Sequence, residues 1–315
     1  SCGVFHVIAT TDTGILYSWG RNNKGQLSRG FDSPFEAVPA LVQGLEVGKE
    51  TPLQVACGHE HTLALIQFKG TKETKSVVYG WGDDSRGQLG SGDVHFRHKP
   101  QENRWVSKLL VKYNFTAVAV SAGAYHNLVL SSTGQVITWG AGDYGQLGHG
   151  SMWDDARPNV INDLNGVQQV TGGARHSIAI VAKLGVVSWG YNGYGELGLG
   201  DDNIRTQPTV LTSFSRAVVH SIDACERHSV VTTTHRAIAA NEDPALRQYF
   251  AVVEENVNQM VVKQIKKTME KNGFDPALLD HPDAALPNQV GSKDDPLRLD
   301  KYEKGIRYCM DSLVN

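Results

Sequence analysis

Along residues 1–234 the apolar positions come in short runs broken by small or polar residues. GILYSWG, SVVYGWG, QVITWG and GVVSWG are four of them, and HTLALIQF, HNLVLSS and HSIAIVA are three more. Runs of this length, rich in β-branched residues and punctuated by glycine, predict strands rather than helices. No helix is expected in this region. Past residue 241 the pattern changes: Leu246, Phe250, Val253, Val257, Met260, Val261, Ile265 and Met269 recur at three- and four-residue steps. That spacing predicts an amphipathic helix within residues 235–274. Asp243 before Pro244 suits an N-cap and first helical position, and Gly273 suits a C-terminal cap. The helix would hold roughly 29 residues and run about 43 Å. Residues 275–298, with Pro276, Pro282, Pro287 and Pro296, read as a connector. A short terminal helix is expected over 299–315, with Tyr302, Ile306, Met310 and Leu313 on one face.

The strand region repeats itself. SWGRNNKGQLSRG, GWGDDSRGQLGSG, TWGAGDYGQLGHG and SWGYNGYGELGLG carry, after Trp19, Trp81, Trp139 and Trp189, a Gly at +6, a Leu at +8 and a Gly at +11. Pro39, Pro100, Pro158 and Pro208 follow at +19 or +20. A second mark precedes each copy: Gly3-x-x-His6, Gly58-x-x-His61, Gly123-x-x-His126 and Gly173-x-x-His176, with Cys225 in the glycine position before His228. Self-similarity at about 50 residues marks stacked or radial repeats. Units built of strands alone suit a β-propeller, which leaves only short, protected sheet edges.

The phased GxxH and WGxxxxGQLGxG marks resemble the regulator of chromosome condensation repeat, over Ser1 to about Thr234. The resemblance implies an all-β, seven-bladed propeller of four-stranded blades. The chain departs from it in count, with four complete units and the opening of a fifth, and further blades are expected upstream of these residues. Ultraviolet-sensing relatives carry a Trp two residues before the histidine. Those positions here are Val4, His59, Ala124, Ala174 and Glu226, so photoreception is not expected. Relatives that exchange nucleotide on the small GTPase Ran use an inserted hairpin; the insertion here, Gln67 to Ser76, reads as a polar hairpin.

One histidine per unit, spread around a ring, cannot converge on one substrate. A neutral imidazole that ties neighbouring strands is the expected role. The tryptophans are expected to bury their rings in the blades, and the glycines to mark positive-φ turns. Cys2 and Cys57 share one repeat position, held elsewhere by Ala122, Gly172 and Ala224, where a small buried side chain is expected. With no CxxC pair or Cys/His cluster, no metal and no cofactor are expected, and the cysteine usage points to an intracellular setting.

The variable residues inside the fixed frame carry the candidate chemistry. RNNK, DDSR, AGDY and YNGY follow the four Trp-Gly pairs, on loops that a propeller would present on one rim. Function concentrates on such loops. The candidate partner-binding residues are therefore Arg21, Lys24, Asp83, Asp84, Arg86, Asp143, Tyr144, Tyr191 and Tyr194. A net charge of −3, without a basic run, argues against direct nucleic-acid binding, and no apolar stretch is long enough to insert in a membrane. The expected function is a non-enzymatic protein–protein interaction scaffold, a propeller subunit of a larger multi-subunit complex, with the helix of residues 235–274 as docking tail. The alternatives are a guanine-nucleotide exchange factor for a small GTPase and the substrate-recruiting domain of a larger ubiquitin ligase or kinase. A cytoplasmic, ciliary or mitochondrial location is left open by the resemblance.

Overall fold

A computed structural model describes residues 1–46, 48–68, 76–214 and 217–235. The docking helix, connector and terminal helix expected beyond residue 235 lie outside the described residues, as does most of the hairpin between Gln67 and Ser76. The described chain forms five antiparallel sheets. The first holds β1 (His6–Thr10), β2 (Leu16–Asn22) and β3 (Ser33–Leu41). The second holds β4 (Glu50–Cys57), β5 (His61–Phe68), β6 (Ser76–Gly82) and β7 (Arg97–Glu102). The third holds β8 (Ala117–Ala122), β9 (His126–Ser131), β10 (Val136–Gly140) and β11 (Asp155–Val160). The fourth holds β12 (Val167–Gly172), β13 (His176–Val181), β14 (Gly185–Gly190) and β15 (Arg205–Val210), and the fifth is the pair β16 (Ala217–Ala224) and β17 (Ser229–His235).

These are the blades of a β-propeller. Their count differs from the motif count, because the strand before each GxxH pairs with the strand after it. The four complete units thus become three four-stranded blades, flanked by a three-stranded and a two-stranded sheet. The two sequence marks meet in register: His6 faces Gly20, His61 faces Gly82, His126 faces Gly140 and His176 faces Gly190. A side chain on Gly140, at φ 104°, would meet the Tyr125 carbonyl at 2.4 Å, so the position admits only glycine.

The core lies between blades rather than within them. Four apolar clusters fill the four junctions; the second joins Leu63, Leu65 and Val78 of one blade to Val120, Ile137 and Trp139 of the next. This explains why the second strands read as unbroken apolar runs: β9 and β13 are buried at every position, on both faces.

A helix was not expected among the repeats, yet α1 (Arg104–Tyr113) is inserted between the second and third blades. Asn103 caps it, its Oδ1 accepting from the Val106 amide at 2.9 Å, and Asn114 closes it at φ 55°. Val106 and Leu110 enter the junction core. The signal was present in Val106, Leu109, Leu110 and Tyr113 behind an asparagine cap, but it spans too few turns to stand out from the strand pattern.

Candidate functional site

Each junction is closed by one recurring latch. His6 Nε2 meets Thr62 Oγ1 at 2.9 Å, His61 meets Asn127 Oδ1 at 2.8 Å, His126 meets Ser177 Oγ at 3.0 Å and His176 meets Ser229 Oγ at 2.9 Å. The partner is always the residue after the next blade's histidine. That residue in turn donates back, to the backbone carbonyl of Gln26, Gln88, Gln146 or Glu196. Its hydrogen being spent there, it accepts from the histidine, so Nε2 carries the proton and Nδ1 is bare. In His6, His61 and His126 that Nδ1 is buried without a hydrogen-bond partner. Burial drives the imidazoles down from an ordinary 6.5, to about 3 in His6 and His126 and about 4 in His61 and His176. A neutral, hydrogen-bonded tie is what these residues are.

The tryptophans reinforce the latch. The indole N–H groups of Trp81, Trp139 and Trp189 donate to the carbonyls of Gln26, Gln88 and Gln146 in the preceding blade at 2.9, 2.9 and 2.8 Å. All three rings are fully buried, whereas Trp19 is half-buried. The cysteine reading divides in the same way: Cys57 is buried, but Cys2 is exposed, because no described strand covers the first sheet on that side.

The same glutamines brace the loops that follow each Trp-Gly. Gln26 Oε1 accepts from the Lys24 amide, Gln88 from Arg86 and Gln146 from Tyr144, at 2.9, 2.7 and 2.8 Å, and Glu196 Oε2 accepts from the Tyr194 amide at 2.8 Å. Lys24, Arg86, Tyr144 and Tyr194 are therefore held at the tips of rigid turns. Arg86 pairs with Asp154 of the next blade through two bonds of 2.5 and 2.7 Å and with Asp143 at 3.3 Å. Arg21 pairs with Glu60 at 3.1 Å and lies 5.0 Å from the Phe5 ring. Lys24 lies 5.7 Å from the Phe96 ring. Tyr144 packs edge-on against Tyr191 at 5.0 Å, and Tyr191 leads to Tyr194 at 6.2 Å. Arg175 covers Tyr144 at 4.8 Å, and Arg227 covers Tyr194 at 5.2 Å.

Arg21, Lys24, Arg86, Asp143, Tyr144, Tyr191 and Tyr194 thus join neighbouring blades in one band. Asp83 and Asp84 do not belong to its surface. Asp83 is buried beneath the turn, where Ser85 and Gln88 donate to its Oδ2, both at 2.7 Å. Asp84 is fully buried and accepts from the Leu89 amide at 2.7 Å and from Ser91 at 3.1 Å. It occupies the place of Asn22 and Asn192, which brace the same turn in their own blades.

Burial raises the Asp84 carboxyl from 3.8 to about 6. Its folded value lies above its unfolded one, so the stability it contributes is present below pH 4 and lost as the pH rises through 6. At pH 8 the buried carboxylate costs about 3 kcal/mol relative to the acid. Asp84→Asn should therefore raise the unfolding free energy at pH 8 by about 1–3 kcal/mol and leave it little changed at pH 4. Denaturant melts at the two pH values check this, and a variant no more stable than the parent at pH 8 refutes it.

Two sets of rim residues were missed in the sequence. One is the residue directly before each histidine: Phe5, Glu60, Tyr125, Arg175 and Arg227. Its partners across the band, Arg21, His59, Tyr144 and Tyr194, show that it shares the rim. The other is an apolar belt two to four residues past the second glycine: Val94 and Phe96, then Met152 and Trp153, exposed by 60, 44, 45 and 81%. Variation inside an otherwise fixed GxxH was the available signal for the first set.

Among the described residues no group of three His, Cys, Asp or Glu side chains could hold a metal ion. No described helix is long and apolar enough to cross a membrane. The latched four-stranded blades and their braced rim define a repeat propeller that presents a continuous side-chain band. The family model described as an RCC1-like domain matches residues 1–240, and the chain belongs to that family. The probable E3 ubiquitin-protein ligase HERC3 of Homo sapiens is 38% identical over 167 residues, 53% of this chain and 14% of the ligase. The Protein RCC2 homolog of Danio rerio is 37% identical over 151 residues, 48% of this chain and 27% of that protein. The chain therefore spans a minor part of these relatives. Among solved structures, human WBSCR16 superposes with a TM-score of 0.63 at 24% identity, covering 75% of this chain and 57% of that one. Yeast RCC1 (Prp20), bound to Kap60, gives 0.60 at 23%, covering 74% and 53%. At such identities these two speak for the fold.

Proposed function

We propose that this chain is a non-enzymatic protein-interaction scaffold, docking partner proteins of a larger assembly on the rim of its propeller. One observation carries the reading: large aromatics stand exposed on the rim, Tyr194 on a turn whose backbone Glu196 pins from below. Trp153 is 81% and Tyr194 69% exposed, and each neighbours a cation, Arg86 through Asp154 and Arg227 directly. Tyrosine, tryptophan and arginine supply most hot-spot energy at protein interfaces. A turn braced in the free state, as at Tyr194, removes part of the ordering cost of binding. The double variant Trp153→Ala/Tyr194→Ala should lose partner proteins retained by immobilised wild-type chain, by about tenfold or more. Its melting temperature should stay at the parent value, since both side chains lie outside the junction cores. Unchanged retention would refute the rim as the docking surface.

The likeness to HERC3 supports a second reading, in which the propeller recruits substrate for a ligase whose other domains lie beyond these residues. For the yeast relative, one solved structure is described by its binding to Gsp1p and histones. Exchange on a small GTPase is the third reading, and acceleration of guanine-nucleotide release by the full chain would establish it.

A further inference from the structure

Around the third blade the repeat is broken in three places, and the three breaks meet at one cavity. The first is α1, which has no α-helical counterpart among the described residues. The second is Gly142. It stands where Asn22, Asp84 and Asn192 turn a side-chain oxygen inwards to the Leu27, Leu89 and Leu197 amides. With no side chain at that position, the connection between β10 and β11 runs inwards. The Trp153 carbonyl lies where a Cβ on Gly142 would collide with it, and Asp154 Oδ1 accepts the Gly142 amide at 3.0 Å. The third is Trp153 itself, at 81% the most exposed large apolar side chain among the described residues.

A cavity of about 410 Å³ lies between helix and blade, lined by Leu109, Lys112 and Tyr113 on one side and His149, Trp153 and Asp155 on the other. Thr138 Oγ1 donates to the Leu147 carbonyl at 2.7 Å, so it accepts from His149 Nε2 at 2.9 Å and leaves Nδ1 as an acceptor. Burial holds this imidazole below its ordinary 6.5, which keeps it neutral at pH 7. Asp154, also in the lining, is paired with Arg86. Asp155 meets only neutral donors among the described residues, the Arg157 amide and Asn159 Nδ2. Other rings at the surface carry a cation from the chain itself: Arg21 at Phe5, Lys24 at Phe96, Arg175 at Tyr144 and Arg227 at Tyr194. Lys112, the one cation in the cavity lining, lies 4.9 Å from the Tyr113 ring. Among the described residues no cation lies over Trp153.

We propose that this cavity receives an arginine side chain presented by a partner protein, which names the partner's chemistry at the rim and rests on the rim reading above. A guanidinium can lie flat on the Trp153 indole while its in-plane N–H groups donate to the Asp155 carboxylate and to His149 Nδ1. It is also more weakly hydrated than an ammonium, so entering a half-enclosed site costs it less. A lysine supplies the charge but cannot stack and fork at once.

The probe is the peptide acetyl-Arg-Gly-Arg-Gly-Arg-Gly-amide, titrated into isotope-labelled full chain. Binding is followed by the Trp153 indole N–H resonance, assigned by its absence in Trp153→Phe. A saturable shift is expected, with affinity lowered about tenfold or more by Asp155→Asn, or by citrulline in place of arginine, which keeps the shape and removes the charge. The lysine peptide should bind more weakly. Lys112→Gln should tighten binding about twofold or more by removing a like charge, a gain that misfolding cannot produce. Absence of a saturable shift overturns the proposal, as does binding that citrulline and Asp155→Asn leave unchanged. Equal affinity for the lysine peptide overturns the choice of arginine. Partner retention lost in Trp153→Ala/Tyr194→Ala without arginine binding leaves the rim standing and removes this site; arginine binding with retention unchanged does the reverse.

Discussion

Between pH 7.5 and pH 5 the propeller should lose most of its resistance to denaturant. His6, His61, His126 and His176 are neutral in the fold, with values lowered to about 3 or 4 by burial, and titrate near 6.5 once unfolded. Folded values below unfolded ones mean that this stability is present above pH 6.5 and lost as the pH falls towards the folded values. At pH 5 each histidine binds a proton on unfolding at a gain of about 2 kcal/mol, and the four together about 8 kcal/mol. Whole domains are stable by about 5–15 kcal/mol, so the effect is decisive. Asp84 titrates in the opposite sense, but it is one group against four. Urea melts across this range should show a falling midpoint, and His126→Gln should lose about 2 kcal/mol less than its parent on acidification. A flat midpoint, or a variant with the parental slope, contradicts the tie as described.

Replacing Trp139 by Ala should destabilise the protein by about 3–5 kcal/mol, the usual cost of removing a buried aromatic. Its ring is fully buried at a junction and its N–H holds the Gln88 carbonyl. Trp19→Ala, at the same repeat position, should cost clearly less, because that ring is half-buried and no described blade precedes it. The pair of variants separates position in the repeat from position in the junction. Equal losses in thermal melts would show that the indole works within its own blade.

The propeller was legible because its rules are local and repeated. A glycine that admits no Cβ, a histidine that must meet a hydroxyl or amide and a tryptophan that must reach a carbonyl each leave a fixed letter at a fixed spacing. Helix α1 escaped because a ten-residue insertion contributes no second copy to compare. The rim was read in part. Lys24, Arg86, Tyr144 and Tyr194 follow from loop position, but Asp83 and Asp84 look like surface acids until the turn above them is seen to fold over. Asn22 and Asn192 in the Asp84 position were a clue: a braced turn needs an oxygen facing inwards. Trp153 and Phe96 stayed hidden because their segments differ in every blade.

The latches also set an order in time. Each histidine reaches across to a residue 51 to 66 positions further along the chain. At roughly 5–20 residues per second on the ribosome, a newly made blade waits about 3–13 s for its partner to emerge. During that interval its apolar strand lies open. Assembly thus runs as a queue from the first blade to the last, and translation speed, rather than search among alternatives, meters how long each unfinished edge is offered to other chains.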